Sequence, residues 1–430
     1  MTRSIRFLLL TITVLSITFA MDGRRVVHAA DQTAQSSLAL PDLISEALAR
    51  NPELVAARKQ WEAATNRITQ ARSLDDPTLS VHLWNFPQPF NVTQAQNSIF
   101  GLSQNLPFPG KLALKGEIAS RSAEMTEQAL HAKERELVAR LKQAYYDLFF
   151  AHKAIQIHHE QAELLRQFFE IANAKFRTGK GSQADVLKAQ VELSVLHQQL
   201  PVLEQGRETA AALLNTILDR DPLSPFGIPQ EPSAIPFDTT TIGDLHRLAL
   251  NARPELKAAE LAVRHSEQSR ALANRQYYPD FNVRFERFQN FQANDGFGAY
   301  VAMTVPFAFW TKPKYDAGVQ EAAASIAAAR AQQHQLENAT RFQIKDLLAK
   351  VRASEQVARL YHTTILPQAV QNLEAARAGY RAGTGGFLDL TDTQRAWRGF
   401  QLEYYRALVE REHRLAELEQ VIGTDLNENK

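Results

Sequence analysis

A chain of 430 residues, 45% of them hydrophobic and 22% charged, is foldable and long enough for more than one structural unit, which excludes a disordered tail or linker. Its formal net charge of +1 excludes nucleic-acid binding built on bulk charge. The absence of cysteine excludes a disulfide framework and a lipid carried on an N-terminal cysteine.

Residues 1–30 read as a secretory signal: Arg3 and Arg6 lead, Phe7 to Ala20 form an apolar core, and Val27 His28 Ala29 offers a small-residue cleavage site. The apolar core is shorter than the roughly 18 residues that a membrane span needs, which favours a cleaved signal over an anchor. Residues 38–222 form a first structural repeat. A helix is expected from Leu40 to Leu74 with a turn or kink at Asn51 Pro52, and Asp75 Asp76 Pro77 closes it. The period then falls to two. From Thr78 to Phe86 the odd positions Leu79, Val81 and Leu83 are apolar, a strand with one oily face. Past Pro87 and Pro89 a second strand is expected from Ile99 to Leu106, stopped by Pro107 Phe108 Pro109 Gly110 Lys111.

From Lys111 to Phe176 helix formers run nearly unbroken, and at ~1.5 Å per residue they make a rod on the order of 100 Å. Along it Leu137, Leu141, Ala144, Leu148, Ala151, Ile155, His158, Ala162, Leu165, Phe169, Ala172 and Phe176 follow at steps of four and three, a heptad seam. After the turn Thr178 to Ser182, Val186, Ala189, Leu193, Leu196, Leu200, Leu203, Arg207, Ala210, Leu214 and Ile217 carry the spacing back, with a kink expected at Pro201. The result is a long antiparallel helical hairpin. A proline-rich linker occupies 223–239.

The order then repeats over 240–423, leaving a tail at 424–430. Asn51 Pro52 Glu53 Leu54 returns as Arg253 Pro254 Glu255 Leu256, Leu106 Pro107 Phe108 as Val305 Pro306 Phe307, and Phe176 Arg177 Thr178 Gly179 as Tyr380 Arg381 Ala382 Gly383, each roughly two hundred residues on. The chain is a tandem duplication. Its second copy predicts a helix from Ile242 to Gln276, strands from Asp280 to Phe288 and Phe297 to Pro306, a long helix from Tyr315 to Tyr380 and a return from Leu388 to Ile422.

Each strand has about the length that crosses a bilayer when tilted, and each has one apolar face; a soluble sheet would show the same alternation. Arg284 and Glu286, opposite the apolar face, suit a wet lumen. A lipid-exposed sheet cannot keep open edges, and transmembrane barrels start at about eight strands, so four per chain demand further copies.

This arrangement of secretory signal and duplicated helix, strand pair, long helix, tip and return resembles the TolC-type outer membrane factor family over essentially the whole mature chain. The resemblance implies a mainly α fold with a membrane β-barrel part: a homotrimer in which duplicated long helical hairpins form an α-barrel and four strands per chain close a twelve-stranded barrel. It implies the outer membrane of a Gram-negative bacterium, contact with its lipid, extension into the periplasm, and work with a periplasmic adaptor and an inner-membrane pump. The run Leu106 to Lys111 further resembles members serving heavy-metal resistance-nodulation-division pumps.

Asp389 and Asp392, three apart, share a helix face, and Asp185 holds the matching place in the first half. In the family such carboxylates line a periplasmic gate, and Tyr380 joins them here. Arg177, Thr178, Gly179, Arg381, Gly383 and Gly385 fall on the tips, where the resemblance implies adaptor docking; they also suit helix ends, with glycine after the last turn and a cation within it. The family has a basic lock residue where this chain has Gly385, leaving Arg381, Lys180 and Tyr380 to replace it.

No catalytic, cofactor or metal constellation is found. His159 Glu160 Gln161 Ala162 Glu163 lacks the second histidine of a zincin helix, and Gly179 Lys180 Gly181 Ser182 lacks full Walker spacing. His158 and His159 fit a solvated or packed seam better than a metal site. The expected function is therefore a passive exit duct for a tripartite efflux system carrying heavy-metal ions or small toxic compounds, without nucleic acid. The alternatives are a soluble periplasmic coiled-coil scaffold or adaptor and, within the class, a drug efflux or type I secretion channel.

Overall fold

The computed structural model describes residues 39–85, 95, 97–232, 241–290 and 294–426. The expected signal, the end of the first strand at Phe86, linker residues 233–239 and the last four tail residues lie outside them. The first half comprises α1 (Leu40–Arg50), α2 (Pro52–Arg72), β1 (Thr78–Trp84), β2 (Asn97–Leu106), α3 (Lys111–Arg177) and α4 (Gln183–Ile217). The second comprises α5 (Ile242–Ala252), α6 (Pro254–Arg275), β3 (Phe281–Asn290), β4 (Gly296–Met303), α7 (Lys312–Leu360), α8 (Leu366–Ala382) and α9 (Phe387–Ile422). The chain is mainly α with one four-stranded antiparallel sheet.

Both short leading helices break at a proline whose predecessor is put to use. The Asn51 side chain accepts the Glu53 N–H at 2.9 Å and donates to the Ile217 carbonyl at 2.9 Å, pinning the α1–α2 break to the end of α4. Its counterpart Arg253 reaches Thr340 Oγ1 on α7 at 2.8 Å. Around these breaks lie two equatorial cores, one from Leu43, Leu54, Leu137, Leu148 and Leu214, the other from Leu245, Ile344, Leu348, Leu418 and Ile422.

The 67 residues of α3 make a rod of about 100 Å. On the strand side of the equator α3 packs between α2 and α6; on the other side it packs between α4 and α9, and α9 packs against α7 and α8. The seam in α4 is as expected, with Ala189, Leu196, Leu214 and Ile217 buried. In α3 past Leu148 the expected His158, Leu165 and Ala172 are buried, but the alternate positions move by one: Ala154, Gln161 and Phe168 are buried while the expected Ile155, Ala162 and Phe169 are half-buried. A helix wedged between two partners buries a wider stripe than a two-helix seam, so several positions satisfy the spacing and the partners choose among them. Gln161 can be inside because Gln394 and Gln401 on α9 complete its hydrogen bonds at 2.9 and 2.8 Å.

Pro201 lies inside α4, which continues through it. One departure concerns proline: the second long helix, expected to run unbroken from Tyr315 to Tyr380, is interrupted by a π-helical turn at Tyr361–Ile365. Pro367 follows it closely. Its ring crowds the carbonyl four residues back and has no N–H to offer, and a wider turn just upstream relieves both.

The sheet order is β1-β2-β3-β4, and the register brings the apolar positions together. Leu79, Leu102, Phe285 and Ala299 stand side by side, as do Ser80, Gly101, Glu286 and Gly298 on the opposite face. The apolar face is open: Leu79 is 74%, Phe297 71% and Val301 68% exposed. Strands β1 and β4 each keep one unpaired edge.

Where β2 turns into α3, Lys111 is 3% exposed and its ammonium donates to Asp280 Oδ1 at 2.9 Å and to the Tyr278 carbonyl at 3.1 Å. The Phe108 N–H shares the same carboxylate oxygen at 2.7 Å. Replacing Lys111 by alanine removes the charged donor from both acceptors, and with Asp280 still held by the Phe108 N–H and reached by solvent the expected loss is about 2 kcal/mol. Urea denaturation measures it; Lys111→Arg should recover part of the loss.

Candidate gate and docking tips

Thr178 to Ser182 and Gly383 to Gly386 turn the two hairpins at the end of the molecule far from the sheet. Gly179 (φ +71°) and Gly383 (φ +83°) are left-handed, the conformation that lets a chain leave a helix and that costs an L side chain about 1–2 kcal/mol. Thr178 Oγ1 returns a hydrogen bond to the Ala174 carbonyl at 3.1 Å. At Gly385 the N–H donates to the Gly379 carbonyl at 3.1 Å, and a Cβ would make ordinary contact with backbone atoms of Gly379 and Tyr380 at 3.4 Å, so the turn has room for a side chain there.

The tips are joined through an apolar cluster drawn from both hairpins: Leu165, Phe168 and Ala172 on α3, Ala189 and Leu196 on α4, Leu373 and Tyr380 on α8, and Phe387 and Leu390 on α9. Tyr380 sits in it at 3% exposure, its ring edge-on to Phe387 with centroids 5.3 Å apart. Its hydroxyl donates to Asp185 Oδ2 on α4 at 3.2 Å. Burial raises the phenol pKa, and the neighbouring Asp185 carboxylate raises it further, so the hydroxyl keeps its proton. Lys175, on α3, lies 4.5 Å from the centre of the same ring and donates to the Tyr380 carbonyl.

The other two carboxylates are exposed on the first turns of α9. Asp389 Oδ2 accepts the Gly386 N–H at 3.3 Å, and Asp392 Oδ1 takes the Arg395 guanidinium at 2.9 Å. Arg395 also grips Glu192 on α4 through Nε at 3.1 Å and through a second, shorter bond from Nη2, tying the two hairpins together. Neither Arg381 nor Lys180, both exposed, pairs with an acid among the described residues. The cations that do bear on the tip are Lys175 and Arg395. A signal for Arg395 was present, three residues after Asp392 on one helix face; for Lys175, which contacts α8, there was none.

On the polar face of the sheet Arg284 Nη1 lies 3.4 Å from Glu286 Oε1, and the guanidinium lies 5.8 Å from the Tyr300 ring centre. Glu286 stands between Gly101 and Gly298, so its row carries little bulk. Arg287 falls on the apolar face and pairs with Asp295 at 3.2 Å near the loop end of the strands. His158 is buried and its Nε2 lies 2.6 Å from the Leu196 carbonyl, with burial lowering its pKa. Among the described residues no group of three or more histidines and acids could hold a metal, and no helix is long and apolar enough to cross a membrane.

A family model described as outer membrane efflux protein matches residues 43–219 and 245–424. The chain is 23% identical over 432 residues to the cobalt-zinc-cadmium resistance protein CzcC of Cupriavidus metallidurans, covering 96% of this chain and 98% of that one. Among solved structures it is similar to the outer-membrane channel OprN, with a TM-score of 0.75, 20% identity and coverage of 91% of this chain and 93% of that one. CusC, whose structure concerns transmembrane channel formation, gives a TM-score of 0.74 at 18% identity, covering 93% and 95%.

Proposed function

This chain belongs to the outer membrane efflux protein family, and from that premise we propose that it is the exit duct of a tripartite efflux system. Members of the family are conduits rather than enzymes. The carrying observation is the open four-stranded sheet, whose exposed apolar face and two free edges are stable in lipid only if the sheet closes on copies of itself. Three copies supply twelve strands, with Arg284 and Glu286 facing the lumen, and set the helical hairpins side by side as a tube through the periplasm. An inner-membrane pump of the resistance-nodulation-division type drives the cargo, and an adaptor docks on Arg177, Thr178, Gly179, Arg381, Gly383 and Gly385. Similarity to a cobalt-zinc-cadmium resistance protein supports divalent metal ions as the cargo.

In this reading Asp185, Tyr380, Asp389 and Asp392 form the gate. The ties from Tyr380 to Asp185 and from Arg395 to Glu192 hold each chain's two hairpins as one body, so the seam between neighbouring copies is the one that yields. Three copies of Asp389 and Asp392 ring the aperture. At ~8 Å two such charges repel by about 2 kcal/mol at an effective dielectric of 20, a cost that Arg395 and passing cations offset. Asp389→Ala combined with Asp392→Ala is expected to lower the cation selectivity of single channels in planar bilayers, seen as a shift of reversal potential toward zero under a salt gradient. Unchanged selectivity would remove the ring. Recovery of the wild-type chain in the soluble periplasm without detergent would remove the duct.

A further inference from the structure

Where α3 passes the middle of α4, the interior of the seam holds a histidine. His158 is 5% exposed, and its Nε2 donates to the Leu196 carbonyl on α4 at 2.6 Å. A neutral ring with its hydrogen on Nε2 makes this bond, so the contact requires no charge. The side chains that bear on it electrostatically are cations or can become cations: Arg398 on α9, His159 on its own helix and His197 on α4. Arg398 is half-buried and forms no ion pair among the described residues. Glu192 on α4 faces it as well, but that carboxylate is gripped by Arg395. Burial lowers the His158 pKa, the Leu196 carbonyl counters only part of this, and the surrounding cations lower it further.

The histidine that joins α3 to α9 near the equator is built the opposite way. His413 on α9 donates from Nε2 to the Gln143 carbonyl and to Asp147 Oδ1 on α3, both at 3.2 Å. Burial lowers its pKa, but Asp147, the Gln143 carbonyl and Glu410 outweigh that and raise it. Acid therefore tightens α3 on α9 at the equator. At His158 the sign is reversed. A histidine whose pKa is depressed in a packed arrangement takes its proton more readily once exposed, so acid favours exposure by up to about tenfold per pH unit below the ordinary value of about 6.5.

We propose that His158 is an acid-sensitive latch: when it gains a proton, repulsion from Arg398 parts α9 from α3 and α4 on the tip side of the equator, and the duct opens at its periplasmic end. The latch rests on the reading of the tips as a gate. At neutral pH the ties from Tyr380 to Asp185 and from Arg395 to Glu192 keep the two hairpins together.

The chain has no cysteine, so V191C and A396C, at exposed positions on α4 and α9, carry a pair of spin labels without further change. In the assembled protein in detergent, the dipolar distance between the labels is expected to lengthen as pH falls from about 7.5 to about 5.5, across the ordinary histidine range. H158Q, whose amide can still donate to the Leu196 carbonyl, should hold one distance throughout. H413Q should keep the lengthening, and R398Q should delay it to lower pH. A fixed distance in the otherwise native chain, or lengthening that survives H158Q, overturns the latch. Should H158Q not assemble, R398Q decides, and an unmoved onset overturns the latch equally. Planar bilayers test the gate separately: the open fraction should rise by up to about tenfold per pH unit in the native chain and stay level in H158Q. Channels that conduct while the label distance stays fixed leave the gate standing and remove the latch. A distance that lengthens in a chain forming no channel keeps His158 as an acid switch between hairpins and removes the duct.

Discussion

Gly423→Val is expected to be the most damaging single substitution described here, lowering stability by several kcal/mol and preventing recovery of assembled protein at growth temperature. Gly423 ends α9 at φ +84°, and its N–H donates to the Glu419 carbonyl at 2.8 Å. A side chain there meets two costs. The left-handed conformation costs an L residue about 1–2 kcal/mol, more when it is β-branched. A Cβ would also stand 2.8 Å from Arg253 Cα and 2.9 Å from the Ala252 carbonyl carbon and oxygen, all of them backbone at the α5–α6 break, where overpacking adds about 1–3 kcal/mol. The first half closes α4 in a similar way with Asp219 at φ +57°, so the conformation itself admits a polar side chain. Gly423→Asn should therefore recover the conformational part and leave the clash. Gly206→Ala, where a Cβ meets nothing within 4 Å on a helix interior, should be neutral or slightly stabilising. Thermal unfolding of the purified protein ranks the three; equal melting of Gly423→Val and wild type would refute the close packing.

The second large effect is functional. If, as proposed, the chain exports divalent metal ions through tips that dock an adaptor, cells carrying Gly179→Val and Gly383→Val together are expected to become as metal-sensitive as cells lacking the chain, although the protein still assembles. Both glycines are left-handed, yet a Cβ at either meets nothing within 4 Å. The substitution thus carries only the local conformational cost, about 1–2 kcal/mol at each turn, far from the equatorial cores and the sheet. A re-aimed tip is the main consequence. Growth on graded metal concentrations, read beside a native gel of the assembled protein, separates the outcomes: normal growth would reduce the tips to helix caps, and lost assembly would make them structural.

The rod-and-strand plan was legible because it is written in local spacing. A period near 3.5 between Leu137 and Leu148 and a period of two between Phe281 and Phe285 can each be read from a few consecutive residues, and duplication states each element twice. The helix break at Pro52 was readable for the same reason, since proline acts on its immediate neighbours, whereas the matching break at Pro254 divides a helix expected to run from Ile242 to Gln276. At the tips the turn glycines and the acidic first turns of α4 and α9 were visible, whereas the stacking of Lys175 on the Tyr380 ring, between two hairpins, was not.

The sequence by itself determined the order and kind of the elements, their twofold repetition, and the single apolar face shared by the strands. Tertiary structure alone decided which of several spaced positions went inside, placing Ala154, Gln161 and Phe168 in the seam, and which charges met: Arg395 with Glu192, Lys111 with Asp280, Lys175 with the Tyr380 backbone. The physical reason is separation. Secondary structure follows from forces between residues a turn apart, but an ion pair between hairpins distant in sequence depends on how whole helices are rotated against one another, and no local pattern records that angle.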